Sequence, residues 1–296
     1  MTSSTAIVTG ATSGLGVQVS RVLATSGTKV IMACRDPVRG RAVAATIDGD
    51  TEVRALDLAD LASVRAFADA LPGPVDVLVN NAGVMGVPFS LTADGFEAHI
   101  GTNHLGPFAL TGLLIDRIRG RVVTVTSGLH VLGRISTDLN WESRRYQRWL
   151  AYAQSKLANL LFAYELQRRL AAPVRSIAAH PGVTATEGQR RDTSLQGKIL
   201  AGGRAQPVQM GALPILYAVT APDVPGGACV GPDGFLQRQG NPKLVRSSRR
   251  SRDPVLAAAL WEQSEHLTGV RYPRPAGAAV QPRAGRSRRR FSLLQR

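Results

Sequence analysis

The chain has 296 residues, of which 44% are hydrophobic and 5% aromatic, a composition that is ordinary for a globular protein. Its two cysteines are too few for a disulfide framework, and no apolar run approaches the roughly 20 residues that a membrane-spanning helix needs. The net charge of +15 would suggest a nucleic-acid or anionic partner, but residues 271–296 alone hold eight arginines and no acid, so we expect no specific nucleic-acid partner.

From residue 5 to about 180, short apolar runs alternate with segments of helical period. The predicted strands are Thr5–Thr9, Lys29–Cys34, Glu52–Asp57, Val75–Asn80, Arg121–Ser127 and Val174–His180. The predicted helices between them are Leu15–Ser26, Pro37–Ile47, Leu61–Leu71, Ala93–Ile118 and Leu150–Leu170. Apolar strands that alternate with helices predict right-handed crossovers and a doubly wound α/β sheet covered on both faces.

Beyond residue 180 the pattern is looser. Residues 184–206 show no clear period, and a helix (Val208–Val219), a short strand near Ala228–Val230 and a last helix (Asp253–Leu267) follow. No repeat or linker divides the chain, so we predict one domain over residues 1–270, with a parallel sheet of about seven strands. Residues 271–296 are rich in Pro, Gly, Ala and Arg and are interpreted as a basic disordered tail. The amino terminus lacks an export-signal pattern, which favours a cytoplasmic protein.

The first strand runs into the glycine-rich turn "TGATSGLG". A turn of this kind between a strand and a helix lets the backbone pass close to a ligand, and its amides together with the helix N-terminus attract an anion such as a pyrophosphate. The spacing G-x-x-x-G-x-G differs from the commoner G-x-G-x-x-G, so the motif alone does not decide between a cofactor site and an ordinary turn. Its place after the first strand favours a dinucleotide, with these cofactor-binding residues: Gly10, Thr12, Ser13, Gly14, Leu15 and Gly16.

The end of the second strand indicates which dinucleotide binds. An acid there holds the 2′-hydroxyl of NAD, whereas an arginine accommodates the 2′-phosphate of NADP. Arg35 follows Cys34, and Asp36 precedes Pro37 in the pattern of a helix cap, which gives Asp36 a structural role. NADP(H) is therefore favoured over NAD(H). The alternative is that Arg35 is an ordinary surface charge.

Two further segments end strands at the same edge of the sheet. Asp57, followed by Leu58, is placed either to meet the adenine amine or to cap the next helix. In "NNAG", we expect Asn81, Ala82 and Gly83 to line the cofactor.

Tyr152 and Lys156 stand four residues apart in an apolar helix, so their side chains share one face. A free tyrosine has a pKa of about 10, and a neighbouring ammonium favours the phenolate, which makes the pair a candidate acid/base device. The same spacing is common in amphipathic helices, so it does not by itself separate a catalytic pair from an ordinary helix face. The neighbouring motifs are needed for that distinction.

Two such neighbours are Ser127 and Asn103. Ser127 ends the fifth strand, where its hydroxyl could donate to a substrate carbonyl oxygen, and Asn103 interrupts a helical pattern in a way that suggests a kink or a polar function. The histidines His99, His104 and His130 show neither ligand spacing nor a recognisable partner; they are interpreted as structural, and we expect no metal site.

The motifs "TGATSGLG", "LDL", "NNAG", "NHLG", "TSGLH", "YAQSK" and "HPGVTAT", in this order, resemble the short-chain dehydrogenases/reductases. The resemblance spans roughly residues 5–270, and "VIMACRD" and "DGFEAHIGTNHLGPF" are most similar to the retinol dehydrogenase and protochlorophyllide reductase branch. It implies a Rossmann fold and an NADP(H)-dependent enzyme that acts on a small carbonyl or alcohol.

The resemblance also implies roles for matched residues. Tyr152 would exchange a proton with the substrate oxygen, Lys156 would bind the nicotinamide ribose, and Ser127 would polarise the carbonyl. Asn103 would hold a water that links Lys156 to solvent. The nicotinamide end of the cofactor would meet Pro181, Gly182, Val183 and Thr184.

Three questions stay open at this point. The chain could instead be a non-catalytic NADP(H) sensor, although sensors usually lose the tyrosine or the lysine. The arginine-rich tail could bind nucleic acid or a membrane surface, and a homo-oligomer is neither required nor excluded. The arginines and lysine of the expected substrate lid at residues 184–206 argue against a wholly apolar pocket.

Overall fold

A computed structural model describes residues 4–170, 173–184 and 205–273 of the chain. Its strands are β1 (Thr5–Thr9), β2 (Lys29–Cys34), β3 (Thr51–Ala55), β4 (Val75–Asn80), β5 (Ile118–Val125), β6 (Arg175–Ala179), β7 (Cys229–Pro232) and β8 (Pro242–Leu244). They form one sheet in the order β3-β2-β1-β4-β5-β6-β7-β8, in which β1 to β7 are parallel and β8 is antiparallel to β7. The order reverses direction between β1 and β4, so ligands are expected at the carboxyl ends of these strands.

The α-helices of the described residues are α1 (Gly14–Thr25), α2 (Pro37–Ala44), α3 (Leu61–Asp69), α4 (Ala98–Ile100), α5 (Gly106–Leu114), α6 (Arg148–Arg169), α7 (Val208–Thr220) and α8 (Pro254–Thr268). A π-helical turn, Gly101–Leu105, joins α4 to α5. Short 3-10 helices cover Ile115–Arg117, Gly128–Leu132, Phe235–Gln237 and Arg250–Arg252.

Alternate residues of the central strands face opposite layers of helices. In β1, Ile7 joins a core with Phe108 of α5 and Phe162 of α6, whereas Val8 packs with Val19 of α1 and Ile215 of α7. Because both faces are covered by apolar side chains, the strand sequences are continuously apolar rather than alternating. This double-sided core fixes the carboxyl edge of the sheet, where the candidate site lies.

The predicted fold class is confirmed: the molecule has a doubly wound, mostly parallel Rossmann-type sheet with helices on both faces. The sheet has one strand more than the expected seven. The additional strand, β8, has three residues and includes Pro242, so it lacked a recognisable β pattern. The proposed tail falls almost wholly on residues outside the described ranges, and so does most of the expected substrate lid. No helix in the described ranges is long and apolar enough to cross a membrane.

The single helix predicted over Ala93–Ile118 is wrong. The segment instead contains α4, the π turn and α5, and Ile118 begins β5. Pro107 has no amide hydrogen to donate to the carbonyl of Asn103 four residues earlier, which disfavours a regular α-helix through this point. The chain instead makes a wider turn, in which the Gly106 amide bonds the Gly101 carbonyl.

Candidate active site

The glycine turn between β1 and α1 brings the backbone very close to the end of β4. Gly10 has a φ of +67° and donates its amide to the Ala33 carbonyl at 2.9 Å. A β-carbon at Gly16 would lie 2.2 Å from the Gly10 carbonyl oxygen, which no side chain tolerates. Thr9 Oγ1 accepts hydrogen bonds from the Asn81 and Ala82 amides, both at 3.0 Å. The turn and the "NNAG" segment therefore form one continuous backbone surface.

An open groove of about 570 Å³ lies beside this turn. Its lining residues are Thr12, Ser13, Gly14, Val17, Gln18, Arg39, Val43, Pro207, Val208 and Gln209. Ser13 precedes α1 in extended conformation and makes no side-chain cap, so its side chain does not occupy the helix amides. The groove thus presents the N-terminus of α1 to an anionic group, which suits the phosphates of a dinucleotide.

Arg35 and Asp36 have the placement that the sequence suggests. Asp36 caps α2, its Oδ1 accepting from the Val38 and Arg39 amides, both at 3.0 Å. Arg35 is exposed at the carboxyl end of β2, and no ion pair holds it within the described ranges. Because the Asp36 carboxylate caps α2, the Arg35 guanidinium is the charged group that remains at the carboxyl end of β2.

Asp57 and Leu58 lie two and three residues beyond β3. Asp57 accepts from the Ala59 amide at 2.9 Å, and Asp60 rather than Asp57 caps α3 through the Ala62 amide at 2.8 Å. The helix-cap alternative for Asp57 is therefore wrong; its carboxylate stabilises the turn before the helix. Leu58 is buried, and contact with the cofactor stays a prediction for both residues.

Tyr152, Lys156 and Ser127 come together where β5 meets α6. Tyr152 and Lys156 are both buried, and Lys156 Nζ lies 5.7 Å from the centre of the Tyr152 ring. Lys156 Nζ also donates to the Val125 carbonyl at 3.2 Å, and Thr126 Oγ1 donates to the Lys156 carbonyl at 2.8 Å. These bonds fix the helix face against the strand end that carries Ser127.

Burial dominates the acid/base properties of the pair. It raises the pKa of Tyr152 to about 12, which the Ser127 hydroxyl opposes, and it lowers the pKa of Lys156 to about 8. Burial therefore has the largest effect on the Tyr152 pKa, and the lowering of that pKa by the Lys156 ammonium stays a prediction. The phenol keeps its proton at neutral pH, a state suited to donation to a carbonyl oxygen.

Asn103 lies in the π turn, a feature frequent at functional sites. Its side chain locks the chain beyond "NNAG": Oδ1 accepts from the Val84 amide at 2.7 Å, and Nδ2 donates to the Val84 carbonyl and to Ser155 Oγ, both at 2.9 Å. A β-carbon at Gly83 would lie 2.9 Å from Asn103 Oδ1 and 3.5 Å from Lys156 Nζ. Asn103, Gly83 and Lys156 thus lie close together, while the predicted water relay stays a prediction.

The segment Pro181–Thr184 follows β6 at the same sheet edge. Gly182 has a φ of +65°, and the Val183 amide donates to the Arg238 carbonyl at 2.7 Å. Thr184 Oγ1 donates back to the Pro181 carbonyl at 2.7 Å. The segment is held in place by the loop between β7 and β8, on the edge where the nicotinamide end of a cofactor is expected.

Sequence reasoning missed Arg39 and the partners of His99. Arg39 reaches the groove from the first turn of α2, and Arg35 precedes that helix, so the four-residue spacing of the two arginines gave no helical signal. His99, expected to have no partner, bonds Glu97 and lies near the Tyr152 ring. Glu97 stands only two residues before His99, so this partner had a local signal, whereas Tyr146, the third member of the cluster, comes 47 residues later and had none. In the described part of the chain, no three His, Cys, Asp or Glu side chains are grouped to hold a metal ion.

The family model for short chain dehydrogenases matches residues 4–196. The chain belongs to the short-chain dehydrogenase/reductase family. Human retinol dehydrogenase 13 is 38% identical to this dehydrogenase/reductase over 291 residues, covering 91% of this chain and 86% of the relative. Mouse polyprenol dehydrogenase is 40% identical over 292 residues, covering 90% and 84%. The predicted resemblance to the retinol dehydrogenase branch is confirmed.

A solved structure extends the comparison. A protein of uncharacterised function from Mycobacterium paratuberculosis, known from its crystal structure, is 51% identical to this dehydrogenase/reductase with a TM-score of 0.80. The match covers 91% of this chain and 95% of that chain. The fold and the family therefore rest on both sequence and structure.

Proposed function

We propose that the protein is an NADP(H)-dependent oxidoreductase that interconverts a carbonyl compound and the corresponding primary or secondary alcohol. The observation that carries this proposal is the buried Tyr152–Lys156 pair, which meets Ser127 at the carboxyl edge of the sheet. The groove of about 570 Å³ beside the glycine turn, lined by Thr12, Ser13 and Gly14, leaves room for the dinucleotide phosphates. A cofactor sensor without turnover would not need this acid/base pair.

When the reduced cofactor is bound, it would supply the hydride that the carbonyl carbon accepts in the direction of reduction. Tyr152 donates its proton to the carbonyl oxygen, consistent with the pKa of about 12 that burial gives it. The Ser127 hydroxyl donates a hydrogen bond to the same oxygen and stabilises the charge that develops there. Lys156 would hold the ribose hydroxyls of the bound cofactor, and Asn103 fixes the Gly83–Val84 backbone beside it.

The substrate class is best found with a panel. NADPH oxidation is measured against aldehydes, ketones, quinones and retinoids, and the corresponding alcohols are tested with NADP⁺. We expect turnover with at least one aldehyde or ketone. Polyprenols and retinol belong in the alcohol set, because two relatives carry these substrates in their names. NADPH binding with no turnover in any reaction would favour the sensor.

Replacing Arg35 by alanine should weaken NADPH much more than NADH. Asp36 is occupied as a helix cap, so Arg35 is the group placed to bind a 2′-phosphate. A charge-assisted bond of this kind contributes about 1.5–3 kcal/mol, so we expect the NADPH Kd to rise roughly 10- to 100-fold. The measurement is a fluorescence titration of both cofactors.

Arg119→Ala is the matched control, because Arg119 is exposed near the amino end of β5, at the opposite edge of the sheet. It should leave both dissociation constants unchanged. Equal losses of NADPH and NADH affinity in Arg35→Ala would show that Arg35 does not read the 2′-phosphate.

A further inference from the structure

Glu97, His99 and Tyr146 form a hydrogen-bonded cluster beside Tyr152. The side chains of Glu97 and His99 are both 0% exposed. His99 Nδ1 lies 2.7 Å from Glu97 Oε1, and the Tyr146 hydroxyl donates to the same oxygen at 2.9 Å. The Ile100 amide donates to Glu97 Oε2 at 2.9 Å. One buried carboxylate therefore organises three donors from two segments of the chain.

The contacts of the cluster indicate which of its groups is charged and which nitrogen of His99 carries the proton. Burial raises the pKa of Glu97, but the hydrogen bonds from His99 and Ile100 outweigh it and hold the pKa below its usual value, so the carboxylate is ionised. His99 Nε2 accepts from the Val87 amide at 3.3 Å, which leaves Nδ1 as the nitrogen that donates to Glu97. Burial and the nearby carboxylate raise the pKa of Tyr146, so its hydroxyl remains a donor. A neutral side chain at position 97 could not accept all three bonds.

The cluster reaches Tyr152 through two aromatic contacts. The His99 ring lies 6.1 Å from the Tyr152 ring, inclined at 69°, and the Trp149 ring lies 6.1 Å away at 90°. Trp149 packs against Gly86, next to Val87, whose amide and carbonyl bond His99 and Tyr146. The loop after β4, the start of α4 and the segment before α6 are thus tied together around the Tyr152 ring.

We propose that Glu97 and His99 are positioning residues for Tyr152: their buried hydrogen bonds fix the Tyr152 ring and the adjoining Val87–Trp149 wall in the orientation that proton transfer to a substrate requires. This inference rests on the proposed oxidoreductase function. Neither side chain is exposed to a substrate, so both act through Tyr152. Proton transfer is sensitive to such placement, because a displacement of about 1 Å can cost on the order of 100-fold in rate.

The test is Glu97→Gln, made in the wild-type protein and in Tyr152→Phe. In the wild-type background we expect kcat to fall about 10- to 100-fold, while the NADPH Kd stays unchanged. In Tyr152→Phe, the residual rate should fall by less than roughly twofold, because a residue that acts through Tyr152 has nothing left to position. Glu165→Gln is the matched control: it removes another largely buried carboxylate, paired with Arg168 and Arg169 on α6, and should leave kcat unchanged.

Two results would overturn the inference: wild-type kcat in folded Glu97→Gln, or the same fold-loss in both backgrounds, which would indicate a general structural role. If Glu97→Gln does not fold, Tyr146→Phe replaces it, because the phenyl ring can keep the packing against Phe89 and Trp141 while one donor is lost. Tyr146→Phe should lower kcat in the wild-type protein but not in Tyr152→Phe. An unchanged kcat in the wild-type protein rejects the inference. Wild-type turnover in Tyr152→Phe itself would instead reject the proposed function.

Discussion

Tyr152→Phe is expected to lower kcat roughly 10²- to 10⁴-fold, to a small residual rate, while NADPH still binds. The substitution removes only the hydroxyl that donates the proton, and general acid–base catalysis contributes roughly 10²- to 10⁴-fold to the rate. The phenyl ring can keep its contacts with His99 and Trp149, so the fold and the cofactor groove should be unaffected. The measurement is kcat with the best substrate of the panel, beside an NADPH titration.

Tyr164→Phe provides the control on the same helix. Tyr164 is also buried, and its hydroxyl shares a 2.7 Å hydrogen bond with Ser247, away from the proposed chemistry. Its loss should cost about 1 kcal/mol of stability and no activity. Wild-type kcat in Tyr152→Phe, or an equal loss in both variants, would show that the Tyr152 hydroxyl is not the proton donor.

Gly16→Ala should have the second large effect, on cofactor binding. The new β-carbon would lie 2.2 Å from the Gly10 carbonyl oxygen and 2.8 Å from Asn81 Nδ2, so the turn has to move away from the "NNAG" segment. We expect the free energy of unfolding to fall by about 1–3 kcal/mol. The NADPH Kd should rise on the order of 100-fold, because the backbone amides no longer face the pyrophosphate correctly.

Gly73→Ala is the corresponding control, since a β-carbon at Gly73 would meet no atom within 4 Å. It should leave both stability and NADPH affinity unchanged. Thermal unfolding and fluorescence titration of the two variants separate the effects. Wild-type NADPH affinity in a folded Gly16→Ala protein would contradict the assigned cofactor turn.

The features predictable from the sequence were those that local pattern determines. Apolar runs gave the parallel strands, the dipeptide Asp36–Pro37 indicated the cap of α2, and the four-residue spacing placed Tyr152 and Lys156 on one helix face. In each case the physical cause lies within a few residues along the chain, in helical period, strand alternation or cap chemistry.

What the sequence did not reveal depends on contacts between distant segments. Asn103 pairs with Val84, 19 residues earlier, and Tyr146 with Glu97, 49 residues earlier. The pKa of Tyr152 likewise depends on how deeply the fold buries the phenol, which no local spacing reports. The sequence therefore indicates which side chains share the carboxyl edge of the sheet, but not their hydrogen-bond partners or the burial that determines their protonation.

The ends of the sheet bear on how the protein behaves at high concentration. One outer strand, β3, carries Glu52 in ion pairs with Lys29 and Arg54; the other, β8, has only three residues and includes Pro242 and the exposed Lys243. Charge, proline and short length all disfavour the addition of a foreign strand to an exposed backbone. Both borders of this long, apolar sheet thus carry features that disfavour edge-to-edge pairing with another molecule.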